Sequence, residues 1–87
     1  MGPREVLGAA VRQMGELTGL QVESVSAFDR DGDDVWRIMV EVLEVHRVPN
    51  TMDVLASYEV RLSDDGELLG FDRRRRYHRA AADDGKT

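Results

Sequence analysis

Five arginines fall between Arg73 and Arg79 of this 87-residue chain: Arg73, Arg74, Arg75, Arg76 and Arg79, with Tyr77 among them. A guanidinium offers five N–H donors in a planar fork that matches carboxylates and phosphates, so the chemistry of this cluster is anion recognition. Other chemically capable residues are sparse. His46 and His78 are the only histidines, and neither has a second ligand at helical or hairpin spacing, so both read as surface residues. Asp29, Asp31 and Asp33 alternate like the opening of a calcium loop, but Gly32 comes too early and Val40 replaces the bidentate acid. That run reads as a solvated turn. Glu41, Glu44 and Glu59 can approach one another across two strands, but without a pocket they read as a solvated sheet face. No serine stands in a G-x-S-x-G context, and the absence of cysteine removes thiol nucleophiles, disulfides and cysteine-ligated zinc. The expectation is a protein without catalytic residues, cofactor or metal.

The whole-chain charge points the other way from the cluster. Twelve Lys and Arg against 17 Asp and Glu give −5, which opposes general binding to nucleic acid or anionic membranes. The basic residues are eleven Arg to one Lys, and their concentration at one end implies an acidic body with a basic terminal strand. No run approaches the roughly 18 apolar residues of a membrane span, and the start is too polar for a targeting signal. A soluble, cytoplasmic protein is expected. A chain this short buries only roughly 60% of its unfolded surface, so one thin core is the limit.

The elements that must position the arginines follow from periodicity. Pro3 suits a first helical position, and Leu7, Ala10, Val11, Met14 and Leu17 recur at three- and four-residue steps as an apolar stripe. Glu5, Ala9, Arg12, Gln13 and Glu16 fall opposite. Gly19 reads as the helix stop, and Gly8 and Gly15 as points of close approach to a sheet. From residue 21 the period becomes two. A weak strand over 21–29 precedes the Asp-rich turn, and Trp36, Ile38, Val40 and Val42 alternate with polar residues as a second strand. A slip of alternation predicts a β-bulge near Val42–Leu43. Val54, Ala56, Tyr58, Val60 and Leu62 make a third strand. Asp64-Asp65-Gly66 then turns into a fourth, from Glu67 to about Arg79.

The fold class is therefore α+β: an N-terminal amphipathic helix packed on one face of a four-stranded antiparallel β-meander. One domain is expected over 1–79, with a flexible tail over 80–87. Trp36 is the natural anchor between helix and sheet, where burying an aromatic contributes roughly 4–6 kcal/mol gross. Met39, Leu55 and Leu68 should stay on the outer face as a modest interaction surface able to support a weak homodimer. Pairing Leu62 with Glu67 sets Val60 opposite Leu69 and Tyr58 opposite Phe71. In that register Arg73 and Arg75 share the side of Phe71 and Tyr77, while Arg74 and Arg76 point away with Asp72. Arg73 and Arg75, beside aromatics, are the favoured partner contacts. Arg74 has Asp72 and Glu59 within reach as ion-pair partners, and the whole run can also guard an edge strand against aggregation.

Several stretches taken together resemble a known family. These are Glu16-Leu17-Thr18-Gly19, Trp36, Val40-Glu41-Val42-Leu43-Glu44, Arg47-Val48-Pro49, Asp53-Val54-Leu55-Ala56, Tyr58-Glu59-Val60, Asp65-Gly66-Glu67-Leu68 and Arg76-Tyr77. The chain is similar over about residues 10–79 to the gas vesicle protein GvpO family. The resemblance implies a non-enzymatic accessory protein of gas vesicle formation, cytoplasmic or associated with the vesicle, acting through contacts with other gas vesicle proteins, shell or accessory. Arg73, Arg74, Arg75, Arg76, Arg79 and Tyr77 are the candidate partner-binding residues. The alternative is a small nucleic-acid-binding regulator that uses the same arginines for phosphate and the aromatics for bases. The acidic body and the lack of a basic recognition helix weigh against it.

Overall fold

A computed structural model describes residues 2–80, so the expected tail lies, from residue 81 on, outside the described residues. The helix α1 spans Pro3–Thr18 and is followed by β1 (Gln21–Asp31), β2 (Val35–Val45), β3 (Val54–Ser63) and β4 (Leu68–His78). The strands form one antiparallel sheet in the order β1-β2-β3-β4, so the expected α+β meander is the observed fold.

Local chemistry starts and stops the helix. Pro3 opens it, and the Gly2 N–H donates to the Glu5 carboxylate at 3.1 Å. Gly19 ends it with φ 70°, a left-handed conformation that a side chain would resist, and its N–H reaches the Gly15 carbonyl at 2.9 Å. The buried face differs from the expected stripe. Val6, Ala9, Ala10 and Met14 enter the core, whereas Val11 and Leu17 are exposed. The small Ala9–Ala10 pair lets the helix lie close to the sheet, and Gln13 fixes its rotation by donating to the Gly66 carbonyl at 2.9 Å. Gly8 and Gly15 do not mediate the approach, since a side chain at either would meet open space.

One side of the sheet receives the helix. Trp36, Ile38, Val40 and Val42 of β2 and Ala56, Val60 and Leu62 of β3 form the core with the four helix residues. Trp36 is buried as expected, stacked on Phe28 with ring centroids 5.0 Å apart, and the Arg30 guanidinium lies over it at 4.2 Å. The opposite side, called the outer face below, carries Arg37, Met39 and Glu41 by strand alternation.

Bulges decide which residues reach which face. On β2 the extra residue opposite β3 is Glu44, just beyond the Val42–Leu43 step where the sequence placed it. The β3–β4 register is corrected more strongly. Leu62 pairs with Leu68, Val60 with Phe71 and Tyr58 with Arg73, in place of Glu67, Leu69 and Phe71. The turn explains the shift: Ser63 N–H bonds the Glu67 carbonyl at 2.8 Å, and Gly66 supplies φ 87° to close it. Leu69 then bulges out, which leaves Leu68 packed on the core and Phe71 beside Val60. Of the three apolar residues expected outside, Met39 and Leu55 are on the outer face, Leu55 buried there between its cross-strand partners Leu43 and Tyr77, while Leu68 faces the core.

Candidate functional site

The arginine run lies on β4, an edge strand, and a bulge at Arg74 divides it. Tyr58 pairs with Arg73 and Ser57 with Arg75, so Arg74 is the extra residue and the side-chain alternation inverts beyond it. Arg73 and Arg76 consequently share the helix-facing side. Arg74, Arg75 and Tyr77 lie on the outer face. The expected grouping of Arg73 with Arg75, and of Arg74 with Arg76, is overturned.

On the helix-facing side both arginines are bound to one acid. Arg76 Nε lies 2.7 Å from Glu44 Oε1 and Arg73 Nη1 lies 3.5 Å from Oε2, while Tyr58 donates its hydroxyl to Oε2 at 3.3 Å. The bulge at Glu44 puts that carboxylate within reach of all three. Burial, and next the Glu44 charge, push the Tyr58 hydroxyl above its ordinary pKa.

On the outer face a single carboxylate collects all four strands. Glu41 on β2 accepts hydroxyl hydrogens from Ser26 of β1 at 2.6 Å, Ser57 of β3 at 2.5 Å and Tyr77 of β4 at 2.6 Å. Glu41 is only 9% exposed. Burial alone would raise its pKa, but the three hydroxyls, aided by the Arg75 charge, outweigh it and hold the carboxyl below the usual range. The same pairing, with burial as the larger cause, pushes the Tyr77 hydroxyl up to about 12. Tyr77 is thereby fixed at its hydroxyl end, and the Arg75 guanidinium lies 4.5 Å from its ring centroid. Arg75 forms no ion pair among the described residues.

Arg74 is tied to Glu59 at 2.6 Å, which lowers the Glu59 pKa and raises its own. Arg61 approaches the same carboxylate at 3.2 Å and Asp72 at 3.1 Å. The three glutamates are thus parted rather than paired. Glu41 and Glu59 are on the outer face and Glu44 on the other, each with its own donors. Where a glutamate holds arginines, the arginines stand above it: the Glu44 and Glu59 side chains are 11% and 12% exposed, those of Arg73, Arg74 and Arg76 48–53%.

Arg79 is a clamp. It forms a fork with Glu23 of β1 at 2.9 and 3.0 Å, and its Nη2 reaches Asp53 Oδ2 at 3.1 Å. These bonds raise its pKa further above the arginine range. Asp53 is 2% exposed, and its other oxygen accepts the Arg47 N–H at 2.7 Å, the main cause of its lowered pKa. His46 Nδ1 lies 3.4 Å from that oxygen but the imidazole is largely exposed, in keeping with a surface residue. Asp53 was not singled out as a hub by sequence reasoning. Its signal is a lone acid entering β3 just after the Pro49–Asn50 reversal, where unpaired loop amides need an acceptor. The Asp-rich segment between β1 and β2 forms a turn in which Arg30 bonds the Asp33 carbonyl, and no cluster of three metal-ligating groups occurs among the described residues.

The family described as "Gas vesicle synthesis protein GvpO" matches residues 1–83. The chain belongs to this family. It is 54% identical over 81 residues to "Gas vesicle protein O" of Streptomyces sp. (strain CB03234), covering 93% of this chain and 62% of that one. It is 33% identical over 64 residues to "Gas vesicle protein O" of Haloferax mediterranei, covering 74% and 46%. With "Gas vesicle protein O1" of Halobacterium salinarum it shares 40% over 47 residues, covering 54% and 40%. The chain thus spans less than two thirds of the length of these relatives. No solved structure matches it. Among the described residues no helix is long and apolar enough to cross a membrane.

Proposed function

We propose that this protein is a non-enzymatic accessory factor in gas vesicle formation, acting in the cytoplasm through contacts with other gas vesicle proteins while the shell is assembled. The family membership supports the process. The observation that carries the mechanism is the layering of the sheet. Largely covered glutamates hold exposed arginines, so a chain of net charge −5 offers guanidinium groups along one edge strand. An arginine held by an internal acid serves the fold first, and one without such an acid keeps its N–H donors for carboxylates on a second protein. Arg75 is the strongest candidate, being held by an aromatic ring and not by an acid.

The test follows from that distinction. Reversing Arg73, Arg75 and Arg76 together would crowd new carboxylates around Glu44 and confuse binding with folding. Arg75→Glu alone leaves every internal ion pair in place. It should keep the fold, at a modest cost from the new carboxylate near Glu41, and its folded fraction should fail to co-purify with vesicle proteins. Undiminished co-purification at physiological salt removes the role given to Arg75. Deleting the gene in a vesicle-forming host should abolish or sharply reduce vesicles, and normal vesicles in that strain would overturn the process itself.

A further inference from the structure

An open groove of about 400 Å³ crosses the outer face, lined by Ser26, Met39, Glu41, Ser57 and Tyr77, with Arg74 and Arg75 at its rim. We propose that this groove receives an extended acidic segment of a partner protein, one carboxylate engaging Arg75 and a neighbouring apolar side chain resting on Met39. The proposal deepens the reading above and rests on it for the existence of a protein partner.

Three features select this occupant. The first is preorganisation. Ser26 and Ser57 hold Glu41, Glu41 holds the Tyr77 hydroxyl, and the Tyr77 ring holds Arg75, so the guanidinium is positioned before any ligand arrives. Side-chain ordering, a principal cost of using a long arginine in binding, is already met within the fold. The second is adaptability. Met39 is half-buried, and a flexible thioether accepts apolar groups of varied shape. It is also the aliphatic residue of the groove lining, since Leu55 on the same face is buried and Leu68 turns inward.

The third feature is charge balance, which separates a peptide carboxylate from a nucleic acid. The outer face sets Arg37, Arg61, Arg74 and Arg75 against Asp29, Glu41, Glu59 and Asp72. Arg37, Arg61 and Arg74 are paired with Asp29, Glu59 or Asp72. Glu41 is satisfied by neutral hydroxyls, which leaves the Arg75 charge without an ion-pair partner among the described residues. One carboxylate fits that arrangement. A polyphosphate chain needs a surplus of cations along its length, and it would meet four carboxylates on this face.

The experiment is a titration of the isotopically labelled chain with acetyl-Leu-Glu-Leu-Glu-Leu-amide at low salt, followed through backbone amide resonances. Shifts should centre on Ser26, Met39, Ser57 and Tyr77. Arg75→Gln should weaken binding about tenfold, as for loss of a charge-assisted hydrogen bond. Replacing both glutamates of the peptide by glutamine should abolish it. Shifts centred on Glu44 and Arg76, equal binding of the glutamine peptide, or tighter binding of an oligodeoxythymidine would each overturn the proposal. Unchanged thermal unfolding of Arg75→Gln shows that the variant reports on binding. In a vesicle-forming host lacking its own copy, rescue by the parent but not by Arg75→Gln supports the groove. Equal rescue by both overturns the groove while leaving the vesicle role intact. Vesicles forming in the host with no copy at all reject the vesicle role, and the titration still decides the groove.

Discussion

Two glutamates three residues apart, Glu41 and Glu44, organise opposite faces of the same sheet and do so with different chemistry. Glu44 draws in two arginines and a tyrosine, so the cations around it are committed to the fold. Glu41 is satisfied by three hydroxyls, so the arginine beside it keeps its donors. A neutral donor can satisfy a buried carboxylate as well as a cation can, and the choice decides whether a nearby guanidinium is available to a partner. A basic cluster therefore has to be read through its acids.

The contrast can be broken first at the acids themselves. Glu41→Ala orphans three hydroxyls at a buried position and should cost about 2–4 kcal/mol in urea unfolding. Glu44→Ala releases half-exposed arginines into water and should cost about 1 kcal/mol or less. The reverse order would contradict the assignment of roles.

Acid titration sharpens the same point. The Glu41 carboxyl is lowered in the folded state from an ordinary value of 4.5, so its stabilising effect is complete above that pH. It is lost as pH falls through the lower, folded-state value. The stability gap between the parent and Glu41→Gln should therefore be full at pH 6 and shrink on acidification, as read from unfolding midpoints across pH 6 to about 3. A gap that widens towards acid would mean that the carboxylate is not held ionised.

A smaller effect separates ring from hydroxyl. Tyr77→Phe keeps the platform under Arg75 but loses the bond to Glu41, and should cost about 1 kcal/mol. In the parent, ultraviolet titration should show the last tyrosine ionising near pH 12, and that step should vanish in Tyr77→Phe. Smallest of all, Arg75→Gln should change stability by no more than about 0.5 kcal/mol, as befits a residue with no internal ion pair.

The sheet order and the element types were legible because alternation from Trp36 to Val42 and from Val54 to Leu62 admits one face only. The helix face was not. Val6 and Leu7 are both apolar, as are Ala10 and Val11, so two stripes one residue apart fit equally, and tertiary contacts such as Gln13 with Gly66 choose between them. The site failed for a similar reason. Four identical arginines carry no alternation, so a bulge among them leaves no mark, and Leu68-Leu69 conceals the bulge that precedes it. Ser26, Ser57 and Tyr77 became legible as a set only once the register placed Ser57 opposite Glu41.

The central claim is that Arg75 serves a partner while its neighbour Arg76 serves the fold. Arg75→Glu and Arg76→Glu, prepared side by side, test it through one readout: co-purification with gas vesicle proteins at physiological salt, per unit of folded protein. The account predicts that Arg75→Glu loses the partner even per unit of folded protein, whatever the cost of its new carboxylate near Glu41. It predicts that Arg76→Glu, set against Glu44, is less stable but keeps the partner in its folded fraction. Retention by Arg75→Glu together with loss by a fully folded Arg76→Glu would contradict it.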